Sequence, residues 1–295
     1  MSVTHFKPTF WSKVLLGSLE KKFVFASDMV CNSDYEGEIT GAGDSVNITS
    51  IADPTISDYS PNGTINYESP QDSGQTLLID QAKYFAVKVD DVDAAQAAGN
   101  MLTFMQGRGA YKTADATDQF IAGLYTGASP TNAVGSSGSP KTPGVYSTTN
   151  PADFYTQVIL PLGVKLDEAD VPDDGSRYVI LSPWQIGLLE QTGAFINFPN
   201  AAGGPPLVMA NGWVGNVGRF KVLKSNNTVN YSGSNWIVQA GHPAAITRAN
   251  QIVKTEALRL QTTFADAVRA LHVYGGKVVR PEALAIAYVT RPAGI

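Results

Sequence analysis

The 295-residue chain has one cysteine, Cys31, and only three histidines, His5, His242 and His272. A single cysteine excludes a disulfide within the chain and cannot supply a cysteine zinc site. No histidine stands at a metal-ligand spacing from a cysteine, aspartate or glutamate. The sequence therefore predicts no metal and no cofactor, and it predicts that Cys31 is a small buried or half-buried side chain of a protein made in a reducing cytosol.

Long apolar runs are missing as well. No run of 18 apolar residues exists, which excludes a membrane-spanning helix, and the run from Val14 to Leu16 is too short for a signal peptide. Charged residues make up 16% of the chain and the formal net charge is -5, so no basic surface indicates nucleic-acid binding. With 43% hydrophobic residues, the chain suffices for one large or two ordinary folded domains.

Familiar catalytic motifs are also missing, including the G-x-S-x-G elbow, H-E-x-x-H and the P-loop. The glycines at 212, 215 and 218 lack the dinucleotide fingerprint and precede a strand, so they predict a turn. The acidic run Asp167, Glu168, Asp170, Asp173 and Asp174 could hold Ca²⁺, but without the EF-hand spacing it favours a solvated loop. The sequence therefore shows no evident active site, and it offers no catalytic, cofactor-binding or metal-binding residue to name.

Lysine and arginine are absent between Phe23 and Gln81, a stretch that carries ten Asp or Glu residues. Strand-like pieces at 45–51 and 76–79, separated by Pro and Asn-Gly turn signals, predict a two-stranded excursion that starts near Gly43. Two strands with few apolar residues do not form their own core. We expect this excursion either to be a solvated acidic arm or to pack on a basic surface of another chain.

A strand-like run followed by a long helical pattern stands at the centre of the sequence. Apolar and polar residues largely alternate from Leu77 to Val89, which predicts a half-exposed strand. Asp90, Asp91 and Asp93 then predict the start of a helix, because carboxylates favour the unpaired N–H groups of a first turn. The apolar spacing of this helix continues to Tyr125.

Glycine and proline modify several predicted elements. Gly107 and Gly109 predict a bend or break in the long helix, Gly275-Gly276 predicts a turn between two strands, and Pro161 is awkward within a predicted helix. The other predicted elements are helices over 10–22, 151–166 and 183–193, strands over 176–183, 218–223 and 235–240, and β-rich segments over 243–261 and 266–289. Because helices and strands interleave without a βαβ rhythm, the predicted class is α+β.

Five phrases of the sequence resemble a known family: LIDQAKYFAVKVDDVDAAQA, DQFIAGLY, LDEADVPDDGSRYVILSPWQIGLL, NGWVGNVGRFKVLKSNN and FADAVRALHVYGGKVVRPEALA. Their order over nearly the whole chain resembles the major capsid protein of tailed bacteriophages, whose coat fold is shared with encapsulins. The resemblance implies an N-terminal arm over 1–43, an extended loop over 44–85, a peripheral domain with a spine helix over 86–165 and 246–282, and an axial domain over 166–245 and 283–295.

The resemblance also implies a function, that of a structural subunit and not of an enzyme. Copies of the chain are expected to form hexamers and pentamers of an icosahedral phage head, which encloses double-stranded DNA without reading its sequence. The expected partners are other copies and scaffolding, portal and decoration proteins, with no membrane; the expected location is the virion, after assembly in the host bacterial cytoplasm. The alternatives are an encapsulin-like compartment shell, a β-rich adhesin and a hydrolase with an unfamiliar site.

One departure from the family pattern bears on stability. Some members join subunits through an isopeptide bond between a lysine in the extended loop and an asparagine. This chain has no lysine between Lys22 and Lys83. We therefore expect no such loop-lysine crosslink.

Overall fold

The computed structural model describes residues 23–34, 45–51, 54–58, 61, 67–69, 72–91, 101–144, 153–191 and 213–292. The α+β class is confirmed. The described strands are β1 Cys31–Asn32, β2 Ser45–Ile51, β3 Asp72–Leu78, β4 Gln81–Asp90, β5 Ala133–Val134, β6 Tyr178–Leu181, β7 Trp213–Val217, β8 Phe220–Lys224, β9 Asn230–Ser232, β10 Asn235–Gly241, β11 Ile246–Arg259, β12 Ala265–Val278 and β13 Leu284–Thr290. The described α-helices are α1 Met101–Gly123, α2 Leu160–Glu168 and α3 Pro183–Gln191.

The first sheet has the strand order β1-β11-β12-β4. Its long hairpin, β11 with β12, is antiparallel, β4 runs antiparallel to β12, and β1 runs parallel to β11. Only every second residue of β4 from Phe85 to Val89 is shielded from solvent, as the alternating sequence predicts for a half-exposed strand. Helix α1 packs against β4 and β12.

Helix α1 runs through Gly107 and Gly109 without interruption, so the prediction of a break there is wrong. The physical reason differs between the two glycines. A Cβ at Gly109 would lie 2.5 Å from ring carbons of Phe85, whereas a Cβ at Gly107 would meet nothing within 4 Å. Gly109 therefore lets the helix lie close to β4, and tertiary packing offsets the low helix propensity of glycine.

The predicted start of the helix is only partly described. Strand β4 extends to Asp90, Asp91 is the first helical residue, and Asp93 lies outside the described residues. The Asp91 carboxylate pairs with Arg259 at the end of β11, and this hydrogen bond lowers the pKa of Asp91. Asp91 thus ties the helical start to the hairpin of the first sheet. The predicted helix over 10–22 also lies outside the described residues.

Gly275 and Gly276 do not form a turn, because β12 runs straight through both of them. A Cβ at Gly275 would lie 2.3 Å from the Leu78 carbonyl oxygen, and a Cβ at Gly276 would lie 2.8 Å from Cδ1 of Ile121. Adjacent strand residues point to opposite faces. The pair therefore admits the end of β3 on one face of the sheet and helix α1 on the other.

The second sheet has the order β5-β13-β10-β6-β8-β7, with β9 also pairing β10. Strand β6 is buried along its whole length, which fits its unbroken apolar run YVIL. Helices α2 and α3 contribute buried leucines to the hydrophobic core cluster that contains β6. The predicted strands over 176–183 and 235–240 and the predicted helix from 183 are confirmed, although Gly193 lies outside the described residues.

The predicted helix over 151–166 contains two helical forms. A π-helical turn spans Tyr155–Ile159, and α2 begins at Leu160, whose N–H donates to the Tyr155 carbonyl. Pro161 thus stands in the first turn of α2, where a missing N–H is tolerated. The change of helical form resolves the conflict that the sequence predicts at this proline.

The glycine series in the sequence does include a turn. Gly218, with φ 59°, lies between β7 and β8, as predicted. Gly215 instead lies within β7 beside a register shift, and Gly212 lies outside the described residues.

Strands β2 and β3 form a separate antiparallel ribbon that pairs Ser45 with Leu78 and Ile51 with Asp72. The apolar side chains at its base, Val46, Ile48, Leu77 and Ile79, are buried against Ala249 and Val273 of the first sheet. The ribbon is therefore seated on its own chain at the base, which the sequence does not predict. The part beyond the base remains available for contact with another chain.

Candidate assembly surfaces

The acidic run from Asp167 to Asp174 is predicted to be a solvated loop, but most of its side chains form ion pairs. The Asp167 carboxylate accepts a 2.7 Å hydrogen bond from Nη1 of the buried Arg177 and also pairs with Arg219. Glu168 pairs with Lys165 at 2.8 Å. Within the part of the chain that the structure describes, no group of three or more His, Cys, Asp or Glu side chains could hold a metal ion.

Asp174 belongs to the same run and fixes the loop before β6. Its carboxylate accepts a 2.8 Å hydrogen bond from the Ser176 N–H and lies 3.4 Å from Nε2 of His242. The Ser176 N–H, followed by His242, holds the pKa of Asp174 below its usual value. Nδ1 of His242 accepts the Ala244 N–H, so this histidine caps a short 3₁₀ turn.

Cys31 and His272 are packing residues, while His5 lies outside the described residues. Cys31 is fully buried, as predicted, and its thiol donates a 3.1 Å hydrogen bond to the Phe25 carbonyl. Burial raises the pKa of the Cys31 thiol, which leaves it protonated and inert. His272 stacks on Tyr274 with ring centroids 5.1 Å apart, and burial lowers the pKa of His272.

The ribbon exposes large apolar side chains beyond its base. Ile56 is 97% exposed and Tyr67 is 93% exposed. The Thr55 N–H donates a 3.0 Å hydrogen bond to the Glu68 carboxylate, which ties the outgoing and returning segments together and lowers the pKa of Glu68. Residues 44–80 carry six Asp or Glu side chains and no Lys or Arg. The projecting part of the ribbon is therefore both apolar and acidic.

A groove of about 440 Å³ lies on the first sheet, lined by Tyr84, Ala86, Glu256, Arg269, Ala270 and Leu271. Tyr84 is 78% exposed. Tyr84 pairs with Leu271 across β4 and β12, and Ala86 pairs with Arg269, so these side chains share one face. Phe85 points to the opposite face, towards α1. We call this surface the sheet groove.

The sheet groove continues the surface that the ribbon base covers. Val273, two residues from Leu271 on β12, is buried under the ribbon, and Leu271 packs against the edge of the same cluster. Arg269 donates a 2.7 Å hydrogen bond from Nε to Glu256, and both Arg269 and Lys88 are exposed. The sheet face thus changes from covered to open along β12, and basic side chains stand in its open part.

The described helices do not include one that is both long enough and apolar enough to cross a lipid bilayer. Residues 74–287, more than half of the chain, match the family model described as "Phage capsid protein". The chain belongs to the phage capsid protein family. As a major capsid protein of tailed phages, it is a structural subunit of the head shell rather than an enzyme.

One solved structure at 30% identity supports this family assignment, and two more distant structures share the fold. A structure from Mycobacterium phage Che8 is 30% identical, with a TM-score of 0.70 over 97% of this chain and 98% of that chain. The structure titled "Capsid structure of the Cyanophage P-SCSP1u" is 17% identical, with a TM-score of 0.71 over 98% and 94%. The mature capsid of bacteriophage PhiM1 is 15% identical, with a TM-score of 0.67 over 99% and 97%. A search of curated protein sequences found no match.

The comparisons decide between the functions that the sequence left open. A capsid protein assembles with copies of itself into a shell and is a component of the virion, so the adhesin and hydrolase alternatives fall away. The matches do not favour the encapsulin alternative. The sheet groove was missed by sequence reasoning. Alternation along β4 placed Tyr84 among polar positions, and this exposed aromatic was its one sequence signal.

Proposed function

We propose that copies of this capsid protein assemble as hexamers and pentamers and close into an icosahedral head around double-stranded DNA. The observation that carries the proposal is the projecting ribbon, whose base is seated on its own chain while its outer part exposes apolar side chains. Such surface is stabilised when another copy covers it. Assembly takes place in the cytoplasm of the host bacterium, with scaffolding, portal and decoration proteins as further partners.

We further propose that the domain boundaries implied by the resemblance apply here with one change, which concerns residues 133–165. The arm covers residues 1–43, the extended loop 44–85, the peripheral domain 86–165 with 246–282, and the axial domain 166–245 with 283–295. The first sheet supports the peripheral domain, since it contains β4, β11 and β12. Contacts of β5 and α2 with β13 favour moving residues 133–165 to the axial domain.

The sheet groove is the proposed receiver of a neighbouring copy's ribbon. The ribbon is acidic and carries exposed Ile56 and Tyr67, whereas the groove combines Tyr84 and Leu271 with the ion pair of Arg269 and Glu256. The exposed Lys88 stands beside it on the same sheet face and adds positive charge. Opposite charge favours the correct encounter, and apolar burial supplies most of the affinity. Each contact is weak alone, and a closed shell makes many of them simultaneously.

DNA is proposed to be confined by the shell without being bound tightly by it. The net charge of -5 supports this, because a protein that neutralises many phosphates presents clustered Lys and Arg.

Electron microscopy of the full-length chain tests the proposed function. The chain is expressed alone and together with a candidate scaffolding protein, and the particles are imaged after purification. Uniform closed shells with hexameric and pentameric units are expected in at least one preparation. A monodisperse monomer in both preparations would overturn the proposal, and shells packed with a folded enzyme would support the encapsulin alternative.

Replacing Tyr84 with a charged residue should reduce the yield of closed shells. The size of the reduction should depend on the sign of the charge that is introduced. Tyr84→Asp and Tyr84→Lys both remove the aromatic contact, but only Tyr84→Asp adds repulsion against an acidic ribbon. We expect the yield of closed shells to fall in the order wild type, Tyr84→Lys, Tyr84→Asp. The difference between the two variants should shrink in high salt, where exposed charges are screened.

The Tyr84 variants need a check that their fold is intact. Tyr84 is exposed, so each variant should change the free energy of unfolding by less than about 0.5 kcal/mol and should melt within about 2 °C of the wild-type subunit. Equal shell yields for Tyr84→Asp and Tyr84→Lys at low salt would contradict the proposed ribbon contact while leaving shell formation itself intact.

Mature particles are expected to contain no loop-lysine isopeptide bond, because the extended loop offers no lysine before Lys83. After boiling in denaturant, the capsid protein should run on a gel as a single band near its 31.3 kDa mass. A covalent ladder of multimers, mapped by mass spectrometry to residues of the loop, would refute this expectation.

A further inference from the structure

Asp118 is a fully buried carboxylate in the last two turns of helix α1. Its Oδ1 atom accepts hydrogen bonds from the backbone N–H groups of Val24, at 2.9 Å, and Ala26, at 3.0 Å. Its Oδ2 atom accepts a 2.7 Å hydrogen bond from Nδ2 of Asn227. Helix formation explains none of these bonds, because all three donors lie more than 90 residues away in the sequence.

These donors belong to different parts of the molecule. Val24 and Ala26 lie in residues 23–32, which we call the arm root because they carry the N-terminal segment into strand β1. Asn227 lies just after β8 of the second sheet, and Asp118 lies on the helix that packs on the first sheet. One side chain therefore joins the arm root, the first sheet's helix and the second sheet.

The charges around Asp118 do not neutralise it. On its own helix, Asp115 accepts a 3.1 Å hydrogen bond from the same Asn227 amide and stands 4.0 Å from the exposed Lys112. On the arm-root side, the charged or titratable groups are Cys31, Asp28 and Arg248, and Arg248 pairs with Asp28. Among the described residues, no Lys or Arg forms an ion pair with Asp118 itself.

We propose that Asp118 is a proton-linked clasp, a positioning residue that holds the backbone of Val24 and Ala26 in the arm root against the joint between the two sheets and frees it when the clasp opens. Opening means that the Asp118 carboxylate loses its three partners and meets water. The apolar side chains of Phe25 and Val30, both buried, keep the rest of the arm root in the core when the clasp opens. The change is local, and it loosens the backbone at Val24 and Ala26.

The pH dependence of the clasp follows from burial. Desolvation raises the pKa of Asp118 above its ordinary value of 3.8, although the hydrogen bonds from Asn227, Ala26 and Val24 oppose the shift. The closed clasp therefore binds a proton more tightly than the open one. Closing is most favourable below pH 3.8, and this advantage is lost as the pH rises through the raised pKa. The arm root should open more readily towards neutral pH.

Hydrogen exchange measured by mass spectrometry on the full-length chain tests the clasp. The readout is the protection of the amides of residues 24 and 26, corrected for the intrinsic pH dependence of exchange. In the wild type, protection should fall by up to about tenfold per pH unit within the window above pH 3.8 and then level off, as expected for one linked proton.

Variants separate a clasp from ordinary packing. Asp118→Asn keeps an acceptor for the two N–H groups but cannot ionise, so its protection should be independent of pH across the same window. Asn227→Ala removes the Oδ2 partner and should lower protection while keeping the pH dependence. Asp80→Asn changes an exposed carboxylate and should match the wild type. The proposal is overturned if Asp118→Asn retains the wild-type pH dependence or if Asn227→Ala leaves protection unchanged.

Discussion

Replacing Gly275 with alanine is expected to destabilise the subunit by about 3 kcal/mol, at the upper end of overpacking effects. The added Cβ would lie 2.3 Å from the Leu78 carbonyl oxygen and 2.9 Å from the Ile79 Cα. Both contacts are with backbone, which cannot rotate away as a side chain can. The ribbon base must then lift from β12, which exposes Leu77 and Val273. Urea denaturation of the soluble subunit measures the loss, and shell yield should fall with it.

Two other glycines provide controls for Gly275. Gly123→Ala meets nothing within 4 Å at a helical backbone conformation and should stabilise the subunit by up to about 1 kcal/mol. Gly276→Ala meets the side-chain ends of Ile121 and Leu124 at 2.8 and 3.2 Å, so it should fall between the other two. If the urea midpoint of Gly275→Ala equalled that of Gly276→Ala, the ribbon base would have moved away from the added Cβ at little cost in stability.

Gly275 and Gly276 also show why part of the fold could not be predicted. Consecutive glycines raise backbone freedom and therefore resemble a turn in the sequence. Gly275-Gly276 instead stands within a strand of 14 residues because two other segments pass close on its two faces. Which segment passes close is a property of the tertiary structure. Local alternation, by contrast, predicted that β4 is half exposed, since that pattern depends only on neighbours in sequence.

The candidate surfaces likewise have some features that the sequence predicted and others that only the fold shows. The run without Lys or Arg predicted an acidic excursion, and the exposed Ile56 and Tyr67 agree with an outer part that needs a partner. The seating of its base on Val273 and Ala249 was hidden, because those residues follow at least 170 residues later in the chain. Asp118 gave no signal either. A lone aspartate within a helical pattern is usually solvated, and only the fold brings the arm root and Asn227 to it.

Replacing Arg177 with methionine is expected to destabilise the subunit by about 3 kcal/mol. Arg177 is 1% exposed and donates to the carbonyl oxygens of Pro172 and Val171 and to the Asp167 carboxylate. Methionine has similar length but no donor, so two carbonyl groups lose their partner and a carboxylate loses its buried cation. Asp167 is partly exposed and water can solvate it, so most of the loss comes from the carbonyl groups.

Arg219→Met is the matched control, because Arg219 pairs with the same Asp167 carboxylate from an exposed position. Exposed ion pairs contribute up to about 1 kcal/mol, so this variant should lose far less stability than Arg177→Met. Arg177→Lys keeps the charge but lacks the planar fork that reaches three acceptors, and it should resemble Arg177→Met more than wild type. Equal losses for Arg177→Met and Arg219→Met in urea denaturation would mean that the Asp167 ion pair, and not the loop carbonyls, holds residues 171–177 in place before β6.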